Sequence, residues 1–187
     1  MSVEALCTVA LDRLADLRGA AYAGEIGGRG GHLHGALFCD LDDAQGATVA
    51  MAFASEAGGP LTLDVRVTGR PRWVVLRLEL GSGAVRAGER VGVVLQGWSS
   101  RPTETGVYLR AVRNGGFADA RFPEPIALGP QQATRVALAT LESGHPVCAG
   151  PAGYALVLGL APVSHRLRID GLHLLAGAAA GWAPEGP

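Results

Sequence analysis

LTLDVRVTGRPRWVVLRLEL, residues 61–80, decides the fold, because both halves alternate apolar and polar side chains with a period of two on either side of Pro71. A strand sends successive side chains to opposite faces. Leu61, Leu63, Val65 and Val67 therefore share one face of the first strand, and Val74, Leu76, Leu78 and Leu80 share one face of the second. A hairpin that sets Thr68 opposite Trp73 brings these eight residues together as a wholly apolar face. Its other face places Asp64 opposite Arg77, an expected cross-strand ion pair, and leaves Trp73 outside the core. A crossover at Pro71 between two sheets would break that pairing but keep the faces of each strand.

The same period runs outward through most of the chain. TVAMAFAS (48–55), RVGVVLQGW (90–98), GVYLRAVR (106–113), TRVALATL (134–141), YALVLGLA (154–161) and HRLRIDGLHLL (165–175) are strand-like and are separated by Gly, Pro, Ser and Asp clusters. Helical patterns do not alternate with them, which disfavours a parallel sheet with crossover helices. The expected fold is mainly β: a two-layer antiparallel β-sandwich of jelly-roll type with one N-terminal amphipathic helix. Val3, Leu6, Cys7, Ala10, Leu14 and Leu17 recur at helical spacing between a capping Ser2 and Gly19, which sets the helix at 2–19. GEIGGRGGHLHG (24–35) reads as a loop, and Ala36 to Cys39 as a short strand. One domain is expected over 1–187, with the sandwich over 33–176 and a flexible tail over 177–187. In the final strand, Leu167 and Ile169 share a parity that Leu172 and Leu174 do not, so a bulge is expected at Asp170 and Gly171.

Composition narrows the function. Hydrophobic residues make up 48% of the 187 residues and charged residues 18%, enough apolar material for a core and no signature of disorder. Sixteen basic residues, all arginine, face 17 acidic ones for a net charge of −1, so nucleic acid is not an expected partner. Cys7, Cys39 and Cys148 are odd in number and widely spaced, as suits a reducing compartment better than a disulfide framework. The N-terminal stretch mixes acids and arginines among its apolar residues, so no secretory signal and no membrane insertion are expected. The expectation is synthesis in the cytoplasm, with any release by lysis or as part of a larger particle.

From Trp73 to Leu175 the chain resembles the carbohydrate-binding-module-like β-sandwich domains found beside glycosyltransferases or in surface-attachment proteins. The resemblance is carried by RWVVLRLELGSGAVRAGERV (72–91), GVYLR (106–110), GGFADARFPEP (115–125) and RLRIDGLHLL (166–175). It also resembles the small β-domains of head spikes and tail attachments in phage-like particles. The first resemblance implies a polysaccharide ligand, the second a structural subunit that assembles with copies of itself or with a partner protein.

Four groups of residues could carry chemistry. Aligning Leu95 with Leu109 brings Gln96 near Tyr108 and Arg110, with Trp98 at the mouth of the loop SSRPTET (99–105). With Trp73 these five form the candidate carbohydrate site, since sugars stack apolar C–H faces on aromatic rings and offer paired hydroxyls to Gln and Arg. The competing explanation is that Trp98 and Tyr108 fill a gap beneath the helix or a long loop. His32 and His34 have the spacing of a metal-binding cupin strand, but no Glu follows before Cys39, so surface histidines in a glycine loop are expected and no metal. That glycine run has neither the pattern nor the strand-to-helix context of a phosphate cradle, and suits a hinge or a close backbone contact. No GxSxG surrounds Ser99, Ser143 or Cys148, His145 three residues before Cys148 forms no motif, and Asp119 and Glu124 read as acids on a surface loop. A non-catalytic polysaccharide-binding or attachment module without cofactor is therefore expected. A self-assembling subunit is the alternative, and a cupin-like metal-dependent enzyme needing a third ligand ranks behind both.

Overall fold

The computed structural model describes residues 2–42 and 46–177. It is a mainly β, two-layer antiparallel sandwich of jelly-roll type with one N-terminal helix. The helix α1 (Val3–Gly19) starts at Ser2, whose hydroxyl accepts a hydrogen bond from the Ala5 N–H at 3.4 Å. Val3, Leu6, Cys7, Ala10 and Leu17 are buried on one face and join the core of the sandwich.

Among the described residues thirteen strands follow: β1 (Tyr22–Gly27), β2 (Gly30–His34), β3 (Leu37–Leu41), β4 (Thr48–Ser55), β5 (Leu61–Thr68), β6 (Val74–Gly83), β7 (Arg90–Ser99), β8 (Thr103–Arg113), β9 (Gly116–Arg121), β10 (Ile126–Leu128), β11 (Ala133–Thr140), β12 (Ala152–Leu160) and β13 (His165–Gly177). One sheet has the order β1-β4-β5-β13-β7-β11 and the other β10-β8-β12-β6-β3-β2, with β9 paired beside β10 along the same edge of β8. The helix packs on β13 of the first sheet and β6 of the second, closing the side of the sandwich between them.

The two expected hairpins do not form. β5 and β6 lie in different sheets, and so do β7 and β8, because Gly69–Trp73 and Ser100–Pro102 cross from one sheet to the other. Each strand keeps its expected faces: Leu63, Val65, Val74, Leu76, Leu78 and Leu80 are buried, with Leu61 and Val67 packed partly buried at the margin. The Asp64–Arg77 ion pair is absent. Asp64 instead lies 3.7 Å from Arg66, while Arg77 is bonded to Asp40 at 3.0 Å and Glu79 at 2.8 Å.

The stretch expected as a loop at 24–35 contains strands β1 and β2, so the sandwich begins at Tyr22 rather than at 33. Period two is hidden there because only Ile26 and Leu33 turn inward to the core. Gly30 is required: at φ +100° it passes so close to Cys39 that a Cβ would overlap the Cys39 carbonyl oxygen. The expected bulge is present, with the β13–β7 register shifting between Ile169 and Gly171. Arg18, in the last turn of the helix, donates to the Asp170 carbonyl at that bulge at 3.2 Å. The tail expected over 177–187 lies, beyond Gly177, outside the described residues.

Candidate carbohydrate-binding trough

The outer face of the second sheet is hollow along its middle, and the sequence of β12 explains why. Ala155, Val157 and Gly159 are its outward residues, all small, while Leu156, Leu158 and Leu160 point into the core. Taller side chains stand on the strands to either side. On β8 and its partner β9 these are Tyr108, Arg110, Phe117, Asp119 and Arg121; on β3 and β6 and just before β6 they are Phe38, Asp40, Arg77 and Trp73. The result is an open trough of about 680 Å³ with a floor of Gly106, Val157 and Gly159.

Tyr108 leans along its own strand over Gly106 and across to Gly159. A Cβ on Gly106 would sit 3.0 Å from the Tyr108 hydroxyl, and one on Gly159 would sit 3.3 Å from its Cε2. Neither glycine has a positive φ, so both are needed for the space they leave to the ring. Across the trough, Trp73 is 43% exposed with the Arg72 guanidinium 4.4 Å from its ring centre. The buried Asp42 carboxylate holds this mount in place: it accepts from the Arg72 backbone N–H at 2.8 Å and from Nε and Nη2 at 3.1 Å. That hydrogen bonding pushes the pKa of Arg72 up.

Charge in the trough is largely balanced in pairs. Arg110 grips Asp119 with two bonds of 2.7 and 2.8 Å, which raises the pKa of Arg110, and its guanidinium also lies 4.0 Å from the centre of the exposed Phe117 ring. Arg77 bridges Asp40 and Glu79 and sits 4.8 Å from the Phe38 ring centre. Carboxylates held this way keep lone pairs for hydroxyl donors, and the guanidiniums keep N–H groups for hydroxyl acceptors.

Of the five residues singled out in the sequence, the trough brings together Tyr108, Arg110 and Trp73. Gln96 and Trp98 lie on the outer face of the other sheet, because β7 pairs with β11 and β13 rather than with β8. Asp119 was expected on a solvated loop but lies on β9, opposite Arg110. Arg121, Phe117 and the floor glycines were not singled out; the GGFADAR segment carried the signal, its odd-numbered residues alternating toward the trough.

The other candidates have structural partners. His32 bonds the Gly35 carbonyl oxygen at 2.8 Å and packs on Phe38, while His34 stacks on Tyr22 with ring centres 4.6 Å apart. Both lie on β2 rather than in a loop. Among the described residues no three His, Cys, Asp or Glu gather where they could hold a metal ion. His145 caps the 3-10 turn at Pro146–Cys148, accepting from the Val147 N–H through Nδ1 at 3.2 Å. Burial pushes the Cys7 thiol up to about 11 and the Cys39 thiol up to about 12, so neither is a ready thiolate.

No family model and no curated protein sequence matches the chain. Among solved structures it is similar to the CBM22-1 xylan-binding domain from Paenibacillus barcinonensis Xyn10C, at 14% identity and TM-score 0.47 over 86% of this chain and 95% of that one. It is also similar to a putative sugar binding protein from Bacteroides thetaiotaomicron, at 10% identity and TM-score 0.47 over 78% of this chain and 90% of that one. A point mutant of a family 29 carbohydrate binding module aligns at 14% identity and TM-score 0.42 over 89% of this chain and all of its own. No residue of the trough is assigned by correspondence with any of them.

Proposed function

We propose that the chain is a non-catalytic binding module whose trough holds a neutral stretch of polysaccharide. The observation that carries this reading is the shape of the outer sheet face: a small-residue floor flanked by the exposed Trp73 and the half-buried Tyr108, with arginines and carboxylates mostly tied to one another along both banks. A pyranose offers apolar C–H faces to the rings and hydroxyls to the paired charges, and it brings no net charge into a site that is nearly balanced.

Filling the floor tests this directly. Gly159→Val puts a side chain where Tyr108 now leans, and it is expected to abolish binding of neutral polysaccharides in an affinity-gel panel while the protein stays folded. Undiminished binding by the folded variant would place the ligand elsewhere.

A second reading, a self-assembling subunit, draws on one feature of the first sheet. Val136 and Leu138 on the edge strand β11 are more than half exposed, and Leu138 and Leu175 flank Gly92, leaving an apolar strip beside a strand edge that pairs with no further strand among the described residues. This reading expects an oligomer by light scattering at micromolar concentration, dissociated by Leu138→Arg; a monomer contradicts it.

A further inference from the structure

The residues that the trough leaves out form their own arrangement. Trp98 stands half-buried on the outer face of the first sheet beside an open recess of about 350 Å³ bounded by Asp64, Arg66, Ser100, Ser164 and Arg166. Two serines fix its rim. Ser100 Oγ accepts from the Arg166 backbone N–H at 2.9 Å, and Ser164 Oγ accepts from the Val67 N–H at 2.9 Å while donating to the Val67 carbonyl oxygen.

The charge here differs from that of the trough. Arg166 is the register partner of Asp64 across β13 and β5, yet Asp64 lies against Arg66, which is itself shared with Glu25 at 3.5 Å. The exposed Arg166 guanidinium therefore makes no ion pair or hydrogen bond among the described residues. Arg101 adds a third guanidinium at the rim, donating to the Ser164 carbonyl oxygen at 3.5 Å. Three arginines stand beside Trp98 and its rim, and only Arg66 among them is paired, shared between Asp64 and Glu25 among the described residues.

Trp98 pairs with Arg168, so Arg166 is its diagonal cross-strand neighbour, and such pairs lie within reach of long side chains. A ligand can thus rest an apolar face on the indole and present an anion to a planar guanidinium, the geometry in which Arg binds carboxylate in a fork. We propose that this recess is a second glycan site, separate from the trough, and that it takes an acidic sugar: a pyranose bearing a carboxylate. The inference does not depend on the trough being a ligand site.

The test uses the whole protein with polygalacturonate, alginate and hyaluronan as probes, and methyl-esterified polygalacturonate as the uncharged control. Binding to at least one acidic polymer is expected, tightening as salt is lowered, and falling about tenfold or more in Arg166→Gln, where one charge-assisted contact is lost. Trp98→Ala should act in the same direction, and esterification should remove the binding in the parent protein. Arg166 is exposed and bonded to nothing through its side chain among the described residues, so its variant keeps the fold and the result is readable without Trp98→Ala. Gly159→Val serves as the counter-arm: acidic binding that survives Gly159→Val and fails in Arg166→Gln supports the second site even if no neutral glycan ever binds the trough. Binding to none of the acidic polymers, or acidic binding that Gly159→Val abolishes and Arg166→Gln leaves intact, overturns the proposal.

Discussion

Leu76→Ala is expected to lower the unfolding free energy by about 2–5 kcal/mol, whereas Asp64→Ala is expected to cost about 1 kcal/mol or less. The contrast comes from where the two residues stand. Leu76 is 2% exposed, lies on β6 facing the opposite sheet, and shares the core with Cys39 and Leu158, its neighbours across β3 and β12. Removing it leaves a cavity that the flanking strands, hydrogen-bonded on both sides, cannot collapse to fill. Asp64 faces outward on β5 with a side chain 38% exposed and only a 3.7 Å contact to Arg66, which solvent screens. Denaturant unfolding of the two variants measures both. Equal losses would mean that the outward face of β5 is not outward, and a harmless Leu76→Ala would remove the inward face of β6.

The faces of the strands were legible in the sequence because burial on one side imposes a period of two that survives in the residues themselves. Leu76 and Leu78 could be placed in the core without knowing which strands flank them. The pairing of strands was not legible. An inward-facing row of leucines satisfies either sheet, so nothing in LTLDVRV or WVVLRLEL says whether the chain turns back at Pro71 or crosses to the other layer. It crosses there and again at Ser100–Pro102, which separates Gln96 and Trp98 from Tyr108 and Arg110. Strands β1 and β2 escaped notice because glycines and exposed polar residues occupy most of their positions, leaving Ile26 and Leu33 as isolated inward residues. The β9 strand escaped because it is short and is followed by Pro123 and Pro125. The bulge at Asp170 was legible for the opposite reason: a phase change in a long strand leaves a mark that a change of partner does not.

Tyr108→Ala and Trp73→Ala are each expected to weaken binding of a neutral oligosaccharide by about 1–3 kcal/mol, the scale for losing a ring that stacks on a ligand. The effect on stability should be small for Trp73, which is 43% exposed and held by the backbone around Arg72 rather than by its own packing. Tyr108 is half-buried over Gly106 and Gly159, so its truncation is expected to cost more stability than that of Trp73. Isothermal titration alongside thermal unfolding separates the two quantities. If either variant bound as tightly as the parent, that ring would be no part of the site. If both did, the trough would lose its ligand. Tyr108→Phe sharpens the result, since it keeps the ring that stacks and removes only the hydroxyl. Near-parental affinity in that variant identifies stacking as the main contribution.

The central claim, that a glycan lies along β12 on the outer face of the second sheet, is tested most directly by following backbone and indole NMR signals while titrating neutral oligosaccharides from the polysaccharides that bind in the gel panel. The account predicts shifts concentrated at the Trp73 indole and at Gly106, Tyr108, Val157 and Gly159, with Gln96 and Trp98 on the far sheet unmoved. Shifts confined to the six-stranded sheet or to the helix, or none with any oligosaccharide, would contradict it.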